Sequence, residues 1–111
     1  MTYGVKNEPF ESEIQATICQ YLFLRKHFFW RQNSTPVFSK DRGQYRSMPK
    51  FARIGVPDIL LVKNGILYGL EVKRLKTHQS ESQKIFEKDL TDAGGKYFIV
   101  RSVEDVQKIG L

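Results

Sequence analysis

A single cysteine, Cys19, rules out an internal disulfide, and with only His27 and His78 beside it no Cys/His set has zinc-ligand spacing. Long apolar runs are missing too. Stretches such as Ile59–Val62 and Tyr97–Val100 are far too short to cross a bilayer, so no membrane contact is expected. The N-terminus lacks a basic segment followed by a long apolar one, and so does not read as a secretory leader. These absences point to an intracellular, cytoplasmic protein without disulfides. An acidic excess is also lacking: 18 Lys and Arg stand against 12 Asp and Glu, giving a formal net charge of +6. That balance favours a polyanionic partner, because basic side chains that neutralise phosphates release condensed counterions. What is present suits one folded domain. In 111 residues, 41% are hydrophobic and 13% aromatic, enough for one modest core and too much for a disordered tail.

Residues 1–9 read as an N-terminal arm ending at Pro9. A helix is expected from Phe10 to about His27, where Ile14, Ile18, Tyr21 and Leu22 recur at three- and four-residue steps. Phe28–Phe29–Trp30 turns into strand, and Pro36–Val37–Phe38 is a second short candidate. Residues 39–57 carry Lys40, Arg42, Arg46, Lys50 and Arg53 among Gly43, Pro49, Gly55 and Pro57, and read as a long basic loop. A helix should start near Ser80 and end at Ala93, with Gly94 in the left-handed position after it. Tyr97–Val100 reads as a strand and Val103–Ile109 as a short closing helix capped by Ser102. There is no internal repeat and no sign of a second domain.

The most informative segment is the pair of apolar runs on either side of Asn64–Gly65. Asn-Gly in that setting is a strong hairpin signal, because a type I′ turn needs positive φ at both central residues. With a two-residue turn, Lys63 pairs with Ile66, and the register carried outward sets Asp58 opposite Glu71. Side chains directly opposite share a face, with Cβ atoms roughly 4.5–5.5 Å apart. Lys73 points to the same face as Glu71, because strand side chains alternate. Two carboxylates in a mostly apolar hairpin repel and are poorly solvated, so a shared proton, a cation or a bound metal must offset them. Lys73 brings one positive charge, which is insufficient for two ionised acids. A hard cation such as Mg²⁺ binds naturally to one or two carboxylates with waters and phosphate oxygens. The plainer reading is that Asp58 caps the strand while Glu71 and Lys73 form a solvated strand face. A bulge would shift the register.

Other candidates are weaker from pattern alone. Gln79, Gln83, Phe86, Leu90 and Ala93 form one stripe of the second helix, so Gln83 is placed to aim at a metal-bound water or a phosphate. Ser80-Glu-Ser-Gln83 also matches a capping box, and the pattern favours that role. Glu13, at the margin of the first helix's apolar stripe, reads as an exposed residue that complements the macrodipole. His27 and His78 read as surface or loop residues and Cys19 as packing. The basic loop, with Arg74 and Lys76 beyond Lys73, is a candidate phosphate-tracking surface, and Tyr45 and Phe51 are possible stacking groups.

Gly55-Val-Pro-Asp58-Ile, Leu70-Glu71-Val-Lys73, Ser80-x-x-Gln83 and Ala93-Gly-Gly-Lys-Tyr-Phe-Ile-Val100 together resemble the VRR-NUC family. That family belongs to the PD-(D/E)XK nucleases and is similar to archaeal-type Holliday-junction resolvases. The resemblance spans Glu13 to Val100. It implies an α/β fold with a restriction-endonuclease-like core, a mixed β-sheet flanked by helices. It implies Mg²⁺ or Mn²⁺ held by Asp58, Glu71 and the Val72 carbonyl, with the first-helix Glu13 joining the site. It also makes Asp58, Glu71, Lys73 and Gln83 the catalytic set. Branched DNA is the expected partner and a homodimer the expected assembly, with no small-molecule cofactor. The expected activity is metal-dependent hydrolysis of DNA phosphodiester bonds, with four-way junctions favoured. Flap or single-strand cleavage by the same site stays open, as does RNA. So do a non-catalytic basic module that binds nucleic acid and a subunit that cuts only with a partner protein.

Overall fold

A computed structural model describes residues 9–32, 38–39, 44–45 and 49–111 of the chain. The first helix, α1 (Glu11–Leu24), forms because Ile14, Ile18 and Leu22 repeat every four residues and all three are buried. It ends short of the expected His27. Lys26 takes a left-handed φ of 62°, and the His27 N–H bonds the Leu22 carbonyl at 3.1 Å, a Schellman-type stop. Glycine usually fills that position, so no sequence signal marked the stop.

Among the described residues six strands form, in part where the patterns above placed them. β1 (Phe28–Arg31), β4 (Ile59–Lys63), β5 (Ile66–Val72) and β6 (Lys96–Val100) form one sheet in the order β1-β4-β5-β6. β1, β4 and β5 pair antiparallel, and β6 joins β5 in parallel. A parallel neighbour needs a crossover connection, and α2 (Glu81–Asp92) supplies it. A short second ladder, β2 (Phe38–Ser39) with β3 (Gln44–Tyr45), lies where a plain loop from residue 39 was expected. A final helix, α3 (Val103–Lys108), closes the chain, with the Ser102 hydroxyl accepting from the Asp105 N–H. Among the described residues no helix is long and apolar enough to cross a membrane.

The two faces of the four-stranded sheet differ. On one, Ile59, Leu61, Tyr68, Leu70, Val72 and Val100 pack with Ile14, Ile18 and Leu22 of α1, Val106 of α3 and the terminal Leu111. Each such side chain, fully buried, contributes roughly 1.5–3 kcal/mol. The other face is covered by α2, none of whose residues is fully buried. There Leu90 lies over Gly95 and, with Pro57, over Gly69; a Cβ on Gly69 would stand 2.7 Å from Pro57 Cγ. Gly69 therefore lets Pro57 sit directly on the sheet, and Pro57 fixes the approach of the next residue, Asp58. The thin, partly polar layer between α2 and β5 holds the candidate site.

Candidate active site

The hairpin has the expected register, from Lys63↔Ile66 out to Ile59↔Leu70. Asn64 and Gly65 both have positive φ, 54° and 78°, as a type I′ turn demands. One residue further out, Asp58 leaves the ladder and uses its side chain instead. Its Oδ2 accepts the Val72 N–H at 2.9 Å, while its carbonyl accepts from Gln32 N–H at 2.7 Å. The carboxylate of Asp58 is thus fixed by the backbone immediately after Glu71.

Glu71 is 3% exposed, so the solvated-face reading of the Glu-x-Lys motif does not hold. Its Oε2 accepts from Gln83 Nε2 at 3.1 Å and stands 3.6 Å from Lys73 Nζ. Its Oε1 is buried and makes no hydrogen bond among the described residues. Burial, then the charge of Asp58, pushes the Glu71 pKa up to about 8 against the opposing pull of Lys73. A proton shared with the Asp58 carboxyl, favoured by that upward shift, is one way the pair tolerates a single lysine. A buried oxygen without a donor costs about 1–3 kcal/mol, and a cation is the other way to satisfy it.

The second helix reaches the site through its first turn. Ser80 and Gln83 form the capping box: the Ser80 hydroxyl accepts from Gln83 N–H, and Gln83 Oε1 accepts from Ser80 N–H at 2.8 Å. The cap occupies the amide oxygen of Gln83 and leaves its nitrogen to donate to Glu71. Capping and site contact, rival readings from the sequence, are made by one side chain together.

The first-helix acid is a correction. Glu13 is exposed and lines a separate groove with Thr17, Arg101, Ser102 and Glu104. The α1 carboxylate whose charge reaches Glu71 is Glu11. Its Oε2 accepts from Arg74 N–H at 3.3 Å and Thr77 Oγ1 at 3.2 Å, tying the helix start to the turn after Lys73. Among the described residues no three His, Cys, Asp or Glu side chains come together to hold a metal, so a Glu13–Asp58–Glu71 triad is not assembled. Val72 sits between Glu71 and Lys73, its N–H taken by Asp58.

The basic candidates are divided. Lys40, Arg42 and Arg46 lie outside the described residues, and the side chain of Tyr45 is likewise not described. Lys50 is exposed, its Nζ 5.4 Å from the ring centre of Phe51, which is itself 90% exposed. Arg53 pairs with Asp89 at 2.6 Å and stacks on Phe86, while Arg74 stacks on Phe10. Lys76 is exposed. His27 is half-buried, its Nε2 at 3.0 Å from the Leu111 carbonyl, and Cys19 packs against the core as expected.

Tyr97 was missed. It follows Lys96 on β6, on the face that carries Glu71, and burial pushes its hydroxyl up to about 12, with Gln79 opposing and the charge of Glu71 adding. Gln79, noted only as part of a helical stripe, donates to Glu87 at 2.9 Å. No family model matches the chain, and no curated protein or solved structure matches it.

Proposed function

We propose that the chain is a divalent-metal-dependent nuclease with a restriction-endonuclease-like core, similar to the VRR-NUC enzymes, that hydrolyses DNA phosphodiester bonds. The observation that carries this reading is the buried Glu71 carboxyl, whose Oε1 lacks a donor while Asp58 is fixed beside it. The donor set is all oxygen, as Mg²⁺ or Mn²⁺ requires, and two carboxylates with substrate oxygens and waters make a usual magnesium shell. When bound, the ion supplies Lewis-acid stabilisation of phosphate charge and lowers the pKa of an attacking water.

The residues divide the remaining work. Asp58 and Glu71 would hold the ion, with the Val72 carbonyl as a further oxygen, and Glu71 would have to be ionised to do so. Gln83, anchored through its own cap, keeps Glu71 Oε2 in one orientation. Lys73 Nζ, 3.6 Å from that oxygen, supplies positive charge for the phosphate or the attacking water. A homodimer and four-way junctions are proposed together from the resemblance, since a two-fold dimer would make paired cuts by symmetry.

The test is incubation with end-labelled four-way junction, flap, duplex and single-stranded DNA in Mg²⁺, Mn²⁺ or EDTA. Asp58→Ala, Glu71→Ala and Lys73→Ala are run alongside. Paired junction cuts, lost in EDTA and in each variant, are expected. Cutting confined to flaps or single strands keeps the site and removes the junction assignment. Binding without cutting under every metal condition rejects the nuclease reading in favour of a basic binding module.

A further inference from the structure

Asp58 also borders a second polar feature. A cleft of about 390 Å³ is lined by Gln15 of α1, Arg31 at the end of β1, Gln32 and Asp58. None of the first three belongs to the site described above. Their hydrogen bonds have one consistent sense. Arg31 Nε donates to Gln15 Oε1 at 2.7 Å, and Trp30 Nε1 donates to Gln32 Oε1 at 3.0 Å. Both donors are N–H groups that can only donate, so the orientation of each glutamine amide is fixed by chemistry. The amide oxygens are therefore occupied. On these three side chains donor capacity remains: the two amide NH₂ groups and the terminal nitrogens of Arg31, for which no other hydrogen bond is found among the described residues.

Apart from the Asp58 carboxylate, the cleft offers donors, and these select an acceptor-rich, anionic ligand. The guanidinium is held in place through Nε, leaving its planar outer edge for bidentate contact with oxyanion oxygens. Gln32 is tied to Asp58 by its backbone N–H, which bonds the Asp58 carbonyl at 2.7 Å and holds the cleft against that residue. An anion beside Asp58 is repelled unless a cation lies between them, which is the arrangement a metal-assisted phosphodiesterase needs.

We infer that the Arg31–Gln15–Gln32 cleft seats a backbone phosphate of the nucleic-acid strand, next to the phosphate that is cut. The inference rests on the nuclease reading for the position of the cut, and on the donor arrangement for the phosphate. Arg31 acts here as a substrate-binding and positioning residue. It sets which phosphodiester reaches Asp58 and Glu71.

Binding and cutting separate the two readings. Affinity for a short labelled single strand is measured by fluorescence anisotropy over a range of salt in Ca²⁺, with Mg²⁺ cleavage run in parallel. Inorganic phosphate is titrated as a competitor. Arg31→Ala should weaken strand binding several-fold and reduce the magnitude of the salt slope by about 0.7, the value for one single-strand phosphate. Arg31→Lys should keep the slope and recover part of the affinity. Gln15→Ala and Gln32→Ala should weaken binding without changing the slope, and exposed Lys108→Ala should change neither. Thermal melts confirm that each variant folds. An Arg31→Ala protein with wild-type affinity and slope overturns the inference. So does a loss confined to inorganic phosphate, which would make the cleft a free-anion site. If the wild type binds with this Arg31 dependence but never cuts, the nuclease reading fails while the phosphate seat stands.

Discussion

Glu71 ties the chemistry of the site to the stability of the fold. Its pKa rises from 4.5 to about 8 on folding, chiefly through burial. Between those values the folded protein binds more protons than the unfolded chain. The contribution of Glu71 to stability without divalent ions is therefore fully present below about pH 4.5, and it is lost as pH rises through about 8. Glu71→Gln cannot ionise, so denaturant melts in EDTA at about pH 5 and about pH 8 should differ far less than in the wild type. An equal decline in the variant would remove Glu71 as its source. Gln83 gives a second residue-scale prediction. Ser80→Ala and Gln83→Ala both break the capping box and should each cost about 1 kcal/mol of stability. Only Gln83→Ala also loses the contact to Glu71, so metal-dependent cleavage should fall about tenfold or more in Gln83→Ala and stay near wild type in Ser80→Ala. Equal losses of cleavage would reduce Gln83 to a helix cap.

Among the elements, the β4–β5 hairpin was the most legible in sequence. Asn64–Gly65 fixes the turn and the turn fixes the register as far as Ile59↔Leu70, beyond which Asp58 reaches the Glu71 neighbourhood through its carboxylate on the Val72 N–H. The α2 cap was legible for the same reason, since a local pattern carries its own geometry. The first helix was not. Glu11 and Glu13 differ by about 200° around a helix axis, and choosing between them requires knowing which face packs on the sheet. A signal did exist: Glu11 stands three residues before Ile14 and extends the stripe of Ile14, Ile18 and Leu22, whereas Glu13 lies off it. Glu11→Ala should therefore cost about 1–2 kcal/mol, from the lost Arg74 and Thr77 contacts, and lower activity. Glu13→Ala should stay within about 0.5 kcal/mol of wild type. Thermal melts and cleavage of the two variants check this, and the reverse ranking would restore Glu13 to the site.

In the molecule as a whole, one face of the sheet is sealed by α1, α3 and the C-terminus, while the other carries a helix with no fully buried residue. That asymmetry lets a carboxyl be buried near a surface: Glu71 lies beneath α2, yet Asp58 opens onto the cleft with Arg31. Sequence periodicity marked the sealed face clearly. It could not mark Tyr97, Gln79 or Arg31, because their approach to the site depends on the parallel β5–β6 pairing and on the β1–β4 register, both long-range. Most of the elements followed from pattern, the β2–β3 ladder excepted, whereas the mixed sheet was implied by the resemblance; the restriction-endonuclease-like reading rests on the resemblance and the site together. If Asp58 and Glu71 form a divalent-cation site, isothermal titration of the whole protein with Mn²⁺ near neutral pH should show saturable binding with proton release, lost in both Asp58→Asn and Glu71→Gln. No saturable binding by the wild type, or undiminished binding in both variants, would rule the site out.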